Sequence, residues 1–328
     1  MEKIRVGLLG VSWWTNVVWP GFSAARNAEV TWVASRTAAN ADAFAREHGI
    51  ANWTDDIAAV LAADDVDAVF IGIPNHLHDA TARAALAAGK HVLQEKPMAL
   101  TSRAAAEQAQ LAADRGLVLM VDQETRLADG VRDLPGIVER LGGLRKVRVA
   151  MTLSPGAWGG WRGDPELTGG SLYEMAIHQI DLGRWLWGRN PVAVTGVGAD
   201  VAGQDFTLIY DFGQGDSAVI DFCWRCRGFF RARIECFADG GVVTQDIQMP
   251  DGVGVQQIVT AEGCEEAPLD FGVQKPATFQ RVMEGFADAI LTGAPQPVPV
   301  QDGVWAVRMA EAGREALRTG RRIEFDGS

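Results

Sequence analysis

The sequence predicts an α/β fold in which a doubly wound parallel sheet is followed by a domain with a large, mostly antiparallel open sheet. The first sheet is predicted by short apolar runs that alternate with helical patterns across residues 4–121. The second is predicted by turn signals such as Gly213-Gln214-Gly215-Asp216, which separate alternating segments. We therefore predict two domains, residues 1–122 and residues 123–328.

Composition excludes several classes of function. The 328 residues are 48% hydrophobic and carry a formal net charge of −12, which disfavours nucleic acid and anionic membranes as partners. No apolar run approaches the roughly 20 residues of a membrane span. Residues 1–5 lead directly into a strand pattern, without the pattern of a signal peptide. We expect a cytoplasmic protein with no membrane or nucleic-acid partner.

The cysteines do not suggest a disulfide scaffold or a metal site. Four cysteines in a chain of this length are too few for such a scaffold. Cys223 and Cys226 have the spacing of a redox or zinc pair, but no second pair follows. They stand in an alternating strand pattern, in which residues three apart point to opposite faces. We therefore expect structural cysteines and no bound metal.

The turn after the first strand is the first candidate cofactor site. Ile4–Leu9 is a short apolar run, and the turn after it contains Gly10. A dinucleotide-binding turn has the pattern Gly-x-Gly-x-x-Gly, but Ser12 and Thr15 replace its second and third glycines. Alone, the pattern fits a plain strand-to-helix turn equally well. The candidate cofactor residues here are Gly10, Ser12, Trp13 and Trp14.

The end of the second strand bears on the choice of cofactor. The strand pattern Glu29–Ala34 ends in Ser35 and Arg36. Folds that prefer NAD usually place an acidic residue here to hold the ribose hydroxyls, whereas an arginine suits the 2′-phosphate of NADP. An arginine in an exposed loop is the alternative. We predict NADP as the cofactor, with NAD possible.

Later strands end in further candidates at the same edge of the predicted sheet. They are Pro74, Asn75 and His78 after one apolar run, and Glu95 and Lys96 after the next. A lysine at the tip of a buried strand is costly to place unless it has a partner or a role. Pro97 ends the strand and favours an extended Lys96. We interpret Lys96 as a proton donor beside a nucleotide cofactor.

The second half contains one stretch with comparable chemistry. Gly169-Gly170-Ser171 opens a predicted helix, with Ser171 as its N-cap. At 3.6 residues per turn, Glu174, His178 and Asp181 fall within an arc of roughly 60°. Apolar residues flank this stripe, so its ionisable groups are candidates for catalysis. The alternative is a buried histidine satisfied by its own carboxylate.

Taken together, these motifs resemble the Gfo/Idh/MocA family of sugar and polyol oxidoreductases over essentially the whole chain. The resemblance rests on the Gly10 turn, Pro74 to His78, Gly89 through Pro97, Trp161-Arg162-Gly163-Asp164-Pro165, and Gly169 through Asp181. It implies a Rossmann domain, NAD(P)-dependent hydride transfer at a hydroxyl or carbonyl carbon, and a second domain whose open sheet often forms a subunit interface. A homo-oligomer, dimer or tetramer, is therefore expected.

The resemblance also assigns roles to residues. Lys96 corresponds to the family's lysine and His178 to its catalytic histidine, while Glu174 stands where the family more often has Asp and counts as a third catalytic candidate. The predicted substrate residues are Lys96, Trp161, Arg162, Glu174, His178 and Asp181. Two alternatives remain: a non-catalytic NAD(P)-binding sensor or transcriptional co-regulator, and an NAD-dependent glycoside-cleaving enzyme of the same fold. Retention of Lys96 and His178 favours the dehydrogenase or reductase.

Overall fold

The computed structural model of the protein describes residues 2–153, 160–198, 205–226, 230–249, 253–270 and 275–326. Its strands are β1 (Ile4–Leu9), β2 (Ala28–Ala34), β3 (Asn52–Thr54), β4 (Ala68–Ile71), β5 (His91–Glu95), β6 (Leu119–Asp122), β7 (Leu144–Leu153), β8 (Ala193–Gly198), β9 (Asp205–Gly213), β10 (Asp216–Cys223), β11 (Phe230–Ala238), β12 (Gly241–Met249), β13 (Val253–Thr260), β14 (Gly263–Asp270) and β15 (Ile323–Glu324).

Helices connect and cover these strands. They are α1 (Trp13–Ser23), α2 (Ala38–His48), α3 (Ile57–Ala62), α4 (His78–Ala87), α5 (Ser102–Asp114), α6 (Leu134–Arg140), α7 (Pro165–Thr168), α8 (Ile177–Trp187), α9 (Pro276–Thr292) and α10 (Val300–Thr319). Short 3₁₀ turns cover Asn75–Leu77, Glu124–Leu127 and Gly160–Gly163, and a π-helical turn covers Leu172–Ala176. None of the helices in the described ranges has the length and apolar character to cross a membrane.

By packing, the chain forms two compact units. The first combines residues 1–127 with residues 273–304, and the second combines residues 128–272 with residues 305–328. The predicted domain division after residue 122 stays a prediction. The units differ from it in that residues 273–304, which the prediction gave to the second domain, pack with the first.

The first unit is built on a six-stranded parallel sheet with the order β3-β2-β1-β4-β5-β6. This order confirms the predicted doubly wound sheet, and it reverses between β1 and β4, where such sheets bind ligands. Helix α9 packs closely on α1, because a Cβ atom at Gly21 would lie 2.6 Å from the Cβ atom of Phe279. Glycine is therefore required at this helix crossing.

Helix boundaries in the first unit mostly follow the sequence signals. Gly49 ends α2 with a left-handed φ of 69°, and Thr101 caps α5 by accepting a hydrogen bond from the backbone of Ala104. Thr54 is the last residue of β3, and the carboxylate of Asp56 caps α3 by accepting a hydrogen bond from the backbone of Ala58.

The second unit contains a nine-stranded sheet with the order β14-β13-β12-β11-β7-β10-β9-β8-β15. Every neighbouring pair is antiparallel except β7 and β10, which run parallel. The largely antiparallel second sheet is therefore confirmed. Helix α8 packs on one face, where a Cβ atom at Gly183 would lie 3.3 Å from Ala218. Exposed residues such as Val197 and Ile209 mark the other, open face.

Candidate functional site

The turn after β1 requires glycine at its first position. Gly10 has a φ of 110°, a backbone conformation that other residues rarely adopt. A Cβ atom at this position would also lie 2.3 Å from the carbonyl oxygen of Gly72. The Gly10 N–H donates to the carbonyl of Ala34, 2.8 Å away, and so ties the turn to the end of β2. The first glycine of the dinucleotide pattern is thus fixed by geometry.

The two residues that replace the other glycines brace this turn. Ser12 and Thr15 form a capping box at the start of α1, in which each side chain accepts from the other's backbone N–H. The Thr15 hydroxyl also donates to the carbonyl of Gly10, 2.8 Å away. No acidic residue stands in the first turn of α1, so its partially positive N-terminus suits an anionic group such as a phosphate.

The two tryptophans of α1 have different surroundings. Trp13 is half exposed, whereas the indole N–H of Trp14 donates to the Glu95 carboxylate at the end of β5. The Trp14 ring also meets Phe279 of α9 edge to face, with ring centroids 5.7 Å apart. Trp14 therefore links the predicted phosphate-binding turn to the strand end that carries Lys96.

The end of β2 presents a positive charge to solvent. Ser35 is buried, and its N–H donates to the carbonyl of Thr54, whereas Arg36 is exposed. Within the described ranges, the Arg36 guanidinium takes part in no ion pair. A guanidinium in this position is available to bind a phosphate.

His78 connects the loops that follow β4 and β5. Its ring is fully buried, and its two nitrogens each lie 2.8 Å from a carbonyl oxygen, that of Ile73 and that of Pro97. Because a carbonyl oxygen only accepts, either neutral tautomer of the ring donates to one of these two oxygens. His78 therefore lies between the two loops and is hydrogen-bonded to at least one of them, and its predicted contact with the cofactor stays a prediction. Asn75, beside Pro74, is also buried.

Lys96 stands among buried carboxylates. It is half-buried just beyond β5, and the preceding Glu95 pairs in register with Asp122 of β6. Burial, together with the carboxylates of Glu95 and Glu124, raises the pKa of Asp122 well above its usual range, although Lys96 acts in the opposite direction. Asp122 therefore holds its proton to a higher pH than an ordinary aspartate does.

Asp122, Glu124 and Arg126 are not among the site residues predicted from the sequence. Asp122 follows a buried apolar run, so the strand-end argument that found Lys96 could have found it as well. Arg126 is almost fully buried, and its Nη1 lies 2.5 Å from the Oδ2 of Asp302. These two residues are 176 positions apart, and nothing in the sequence indicates the ion pair.

In the second unit, the glycine pair turns the chain sharply. Gly169 and Gly170 have φ values of 83° and 74°, and Gly169 also ends α7. The guanidinium of Arg314 donates to the Gly169 carbonyl and lies over the ring of Tyr173, 4.5 Å from its centroid. The glycines thus do two things: they permit the turn, and they expose a carbonyl to an arginine.

The helix after the glycine pair differs from the prediction. Ser171 has helical backbone angles and makes no capping bond, so the predicted N-cap is wrong. A π-helical turn covers Leu172–Ala176, and α8 begins only at Ile177. Because a π turn holds more residues per turn than an α-helix, the predicted arc applies to His178 and Asp181 but not to Glu174.

All three predicted ionisable residues of this stretch are buried. Glu174, His178 and Asp181 are 4%, 8% and 2% exposed. The Nε of Arg162 lies 3.2 Å from a carboxylate oxygen of Glu174, and its guanidinium lies over the Trp161 ring. The structure therefore brings together Trp161, Arg162 and Glu174, which are three of the predicted substrate residues. For Trp161 and Arg162, the prediction rested on the family resemblance. Ionisable groups in such a setting are candidates for catalysis.

Comparison with known proteins identifies the family. Residues 4–123 match the model of the oxidoreductase family with an NAD-binding Rossmann fold, and residues 138–244 match the GFO/IDH/MocA C-terminal domain. The chain is 30% identical to 1,5-anhydro-D-fructose reductase from Ensifer adhaerens, with 98% of each chain covered. It is 27% identical to inositol 2-dehydrogenase from Rhizobium meliloti (strain 1021), with 98% of this chain and 99% of the relative covered.

A solved structure agrees with these matches. KijD10, a 3-ketoreductase from Actinomadura kijaniata in complex with NADP and TDP-benzene, superposes with a TM-score of 0.84 at 25% identity, with 96% of this chain and 98% of that chain covered. The chain therefore belongs to the GFO/IDH/MocA family of oxidoreductases, and its parallel sheet forms an NAD(P)-binding Rossmann domain.

Proposed function

We propose that the protein transfers a hydride between NADP(H) and a hydroxyl or carbonyl carbon of a sugar, a polyol or a sugar derivative. One observation carries the proposal. A chain similar over 98% of its length to a sugar reductase keeps Lys96 at a strand end among carboxylates and a buried His178 after a glycine pair. Both residues are costly to retain without a role.

The residues of the first unit suit a phosphate-bearing dinucleotide. The Gly10 turn and the N-terminus of α1 favour a pyrophosphate, and the exposed Arg36 favours a 2′-phosphate. Ser12, Trp13, Trp14, Ser35, Pro74, Asn75, His78, Glu95 and Lys96 complete the proposed cofactor set. When bound, the nicotinamide supplies or accepts the hydride. The protein's own residues orient it and handle the proton.

Lys96 and His178 divide the proton chemistry in this proposal. The Lys96 ammonium polarises the reacting oxygen and relays charge, while the His178 imidazole exchanges the hydroxyl proton. Glu174 and Asp181 orient the imidazole or bind substrate hydroxyls, and Arg162 stabilises the Glu174 carboxylate. The Trp161 face, already covered by Arg162, belongs to the same substrate group.

Replacing either proton-handling residue tests the mechanism. Lys96→Ala and His178→Ala should each lower kcat by at least about 10² to 10⁴, the usual contribution of general acid–base catalysis. Affinity for the cofactor, measured by the quenching of tryptophan fluorescence, should fall far less than kcat, because Lys96 is one of many residues in the proposed cofactor set and His178 is not in it. Lys146→Ala, which removes an exposed lysine of β7, serves as the control. Near-normal turnover in either variant refutes the assignment.

The same assay separates the alternative functions. A panel of sugars and polyols, followed at the nicotinamide absorbance, shows net cofactor reduction only for a dehydrogenase. A sensor or co-regulator binds the cofactor without turnover on any substrate. A glycoside-cleaving enzyme releases the aglycone of a chromogenic glycoside without a net change in the cofactor.

Arg36 tests the preference for NADP. Arg36→Ala removes a charge-assisted contact of about 1.5 to 3 kcal/mol, so the Kd for NADP should rise by roughly tenfold or more, while that for NAD stays nearly constant. Isothermal titration with both cofactors measures this difference. Stabilisation of the unaltered protein by NAD alone, in thermal unfolding, contradicts the proposal.

A homo-oligomer and a cytoplasmic location also belong to this proposal. The open face of the nine-stranded sheet exposes apolar side chains, of which Val197 is 79% and Val253 64% exposed. Such residues favour burial against another surface. We therefore propose a dimer or tetramer that forms through this face.

A further inference from the structure

The segment Cys223-Trp224-Arg225-Cys226 brings two thiols together. β10 ends at Cys223, and the next three residues lie outside any strand. The alternation that would send the two side chains to opposite faces therefore stops at Cys223, and the expectation from the sequence was wrong. The two Sγ atoms lie 3.5 Å apart.

The pair is open to small molecules. Cys223 lies on the open face of the sheet, across from Asp205 of β9 and Thr152 of β7. Its side chain lines a cleft of about 360 Å³, together with Thr207 and Asp221. Both cysteines are partly exposed. In a single copy of the chain, a reagent of modest size can therefore reach the sulfur atoms, and the site requires that the oligomer proposed above leave this cleft uncovered.

The surroundings of Cys223 keep its thiol protonated. Burial raises the pKa of Cys223 to about 11, and the carboxylate of Asp205, which accepts a hydrogen bond from the thiol, adds to this effect. Arg225 pairs with the same carboxylate, and its backbone N–H lowers the pKa of Cys223, but burial outweighs this contribution. The raised pKa is the opposite of the lowered thiol pKa that makes some dithiols strong oxidants in their disulfide form.

The other two cysteines provide internal controls. Cys236 of β11 is fully buried, and burial raises its pKa to about 12. Cys264 of β14 is exposed, and its sulfur lies 3.9 Å from the carbonyl of Glu265. Among the described cysteines, only Cys223 and Cys226 have their sulfurs within contact distance of each other.

We propose that Cys223 and Cys226 are a modification site, a dithiol that a small-molecule disulfide such as oxidised glutathione converts reversibly to an intramolecular disulfide. One thiol loses its proton and attacks the oxidant, which forms a mixed disulfide and releases one glutathione thiolate. The second thiol loses its proton and displaces the other glutathione. Two electrons pass to the oxidant, and the two protons pass to the two released thiolates.

Only a short movement of the two sulfur atoms is needed to form the disulfide. A disulfide needs its sulfurs about 2.05 Å apart, so the pair has to close by roughly 1.5 Å. The residues after Cys223 are outside the strand and can take up this movement without breaking the pairing of β10. The site does not depend on the proposed oxidoreductase activity.

Thiol counting and mass measurement test the proposal. The reduced full-length protein is incubated with oxidised glutathione, quenched with acid, alkylated and weighed. Two of its four thiols should disappear, with the loss of two hydrogen atoms and no retained glutathione, and dithiothreitol should restore them. Cys264→Ser should still lose two thiols. The rate should rise with pH, because the thiolate is the attacking form.

The single variants of the pair decide the outcome. Cys223→Ser and Cys226→Ser should each fail to form the internal disulfide and should instead retain one glutathione. Their thermal unfolding, compared with that of Cys264→Ser, verifies that they are folded. A stable glutathione adduct on the unaltered protein, or a disulfide that joins two chains through Cys264, overturns the proposal.

Discussion

Asp122 in the first unit and Glu174 in the second are both almost fully buried carboxylates, but their charges are balanced in different ways. Asp122 has two further carboxylates, Glu95 and Glu124, as electrostatic neighbours, which together with burial raise its pKa well above the usual range. Glu174 has a guanidinium, that of Arg162, 3.2 Å from one of its oxygens. The same functional group is therefore shifted toward its neutral form in one unit and paired with an arginine in the other.

The difference shows that burial alone does not decide the state of an acid. Burial disfavours the charged form in both places, and the neighbouring charges then determine whether a proton or an arginine compensates. For the proposed chemistry, Lys96 therefore has as a neighbour an acid whose neutral form is favoured, whereas Glu174 has an arginine as its partner.

The raised pKa of Asp122 can be tested through the pH dependence of stability. The pKa of Asp122 is raised in the folded protein, so the folded state binds this proton more tightly than the unfolded state does. The resulting stability is fully present below the pKa of the unfolded chain, about 3.9, and is lost as the pH rises toward the pKa of the folded protein. This loss amounts to at most about 1.4 kcal/mol per pH unit. Asp122→Asn mimics the neutral acid and cannot ionise.

The unaltered protein should therefore lose free energy of unfolding, relative to Asp122→Asn, as the pH rises above about 4. Urea unfolding at a series of pH values measures the difference. Asp55→Asn, at an exposed acid, is the control and should show no comparable trend. If the free energies of unfolding of the unaltered protein and of Asp122→Asn differ by the same amount at every pH, the pKa of Asp122 is not raised. Asp122 and Glu174 would then not differ in the way described above.

The paired state of Glu174 predicts a smaller effect. Arg162→Ala removes the guanidinium beside the buried carboxylate, and it should lower the free energy of unfolding by about 1 to 3 kcal/mol near neutral pH. The partial exposure of Arg162 keeps the effect below that of a fully buried pair. Urea unfolding again measures the loss.

A double-mutant cycle isolates the pair. Arg162→Ala with Glu174→Gln should recover part of the lost stability, because the charge that needs the guanidinium is gone. Arg162→Lys keeps a positive charge without the planar group and serves as the matched control. If the effects of the two single substitutions are simply additive, the ion pair does not stabilise the protein. That result would contradict the view that Arg162 compensates the buried carboxylate of Glu174.

The sequence predicted the fold of the first unit well, because its signals are local. Apolar runs, helix caps and residues at strand ends each lie within a few positions of the structure they specify, as Gly49 and Thr101 illustrate. The predicted cap at Ser171 was wrong because two consecutive left-handed glycines turn the chain directly into a π-helical turn. That turn is held partly by Arg314, a residue remote in the sequence.

The candidate site was predicted in part. Lys96, Gly10 and Arg36 could be placed by their positions after strands, because the ends of parallel strands share one edge. The state of Asp122 could not be predicted, since it depends on which carboxylates the register brings together. The proximity of the two thiols also escaped prediction, because it depends on β10 ending at Cys223.

The parallel pairing of β7 with β10 has a consequence for synthesis of the chain. Ser217 pairs with Lys146, so β7 leaves the ribosome about 70 residues before β10, and its other neighbour, β11, comes later still. Until then both edges of β7 are open to pairing with another nascent chain. The strand carries three cations, Arg145, Lys146 and Arg148, and such charges discourage premature pairing between nascent chains.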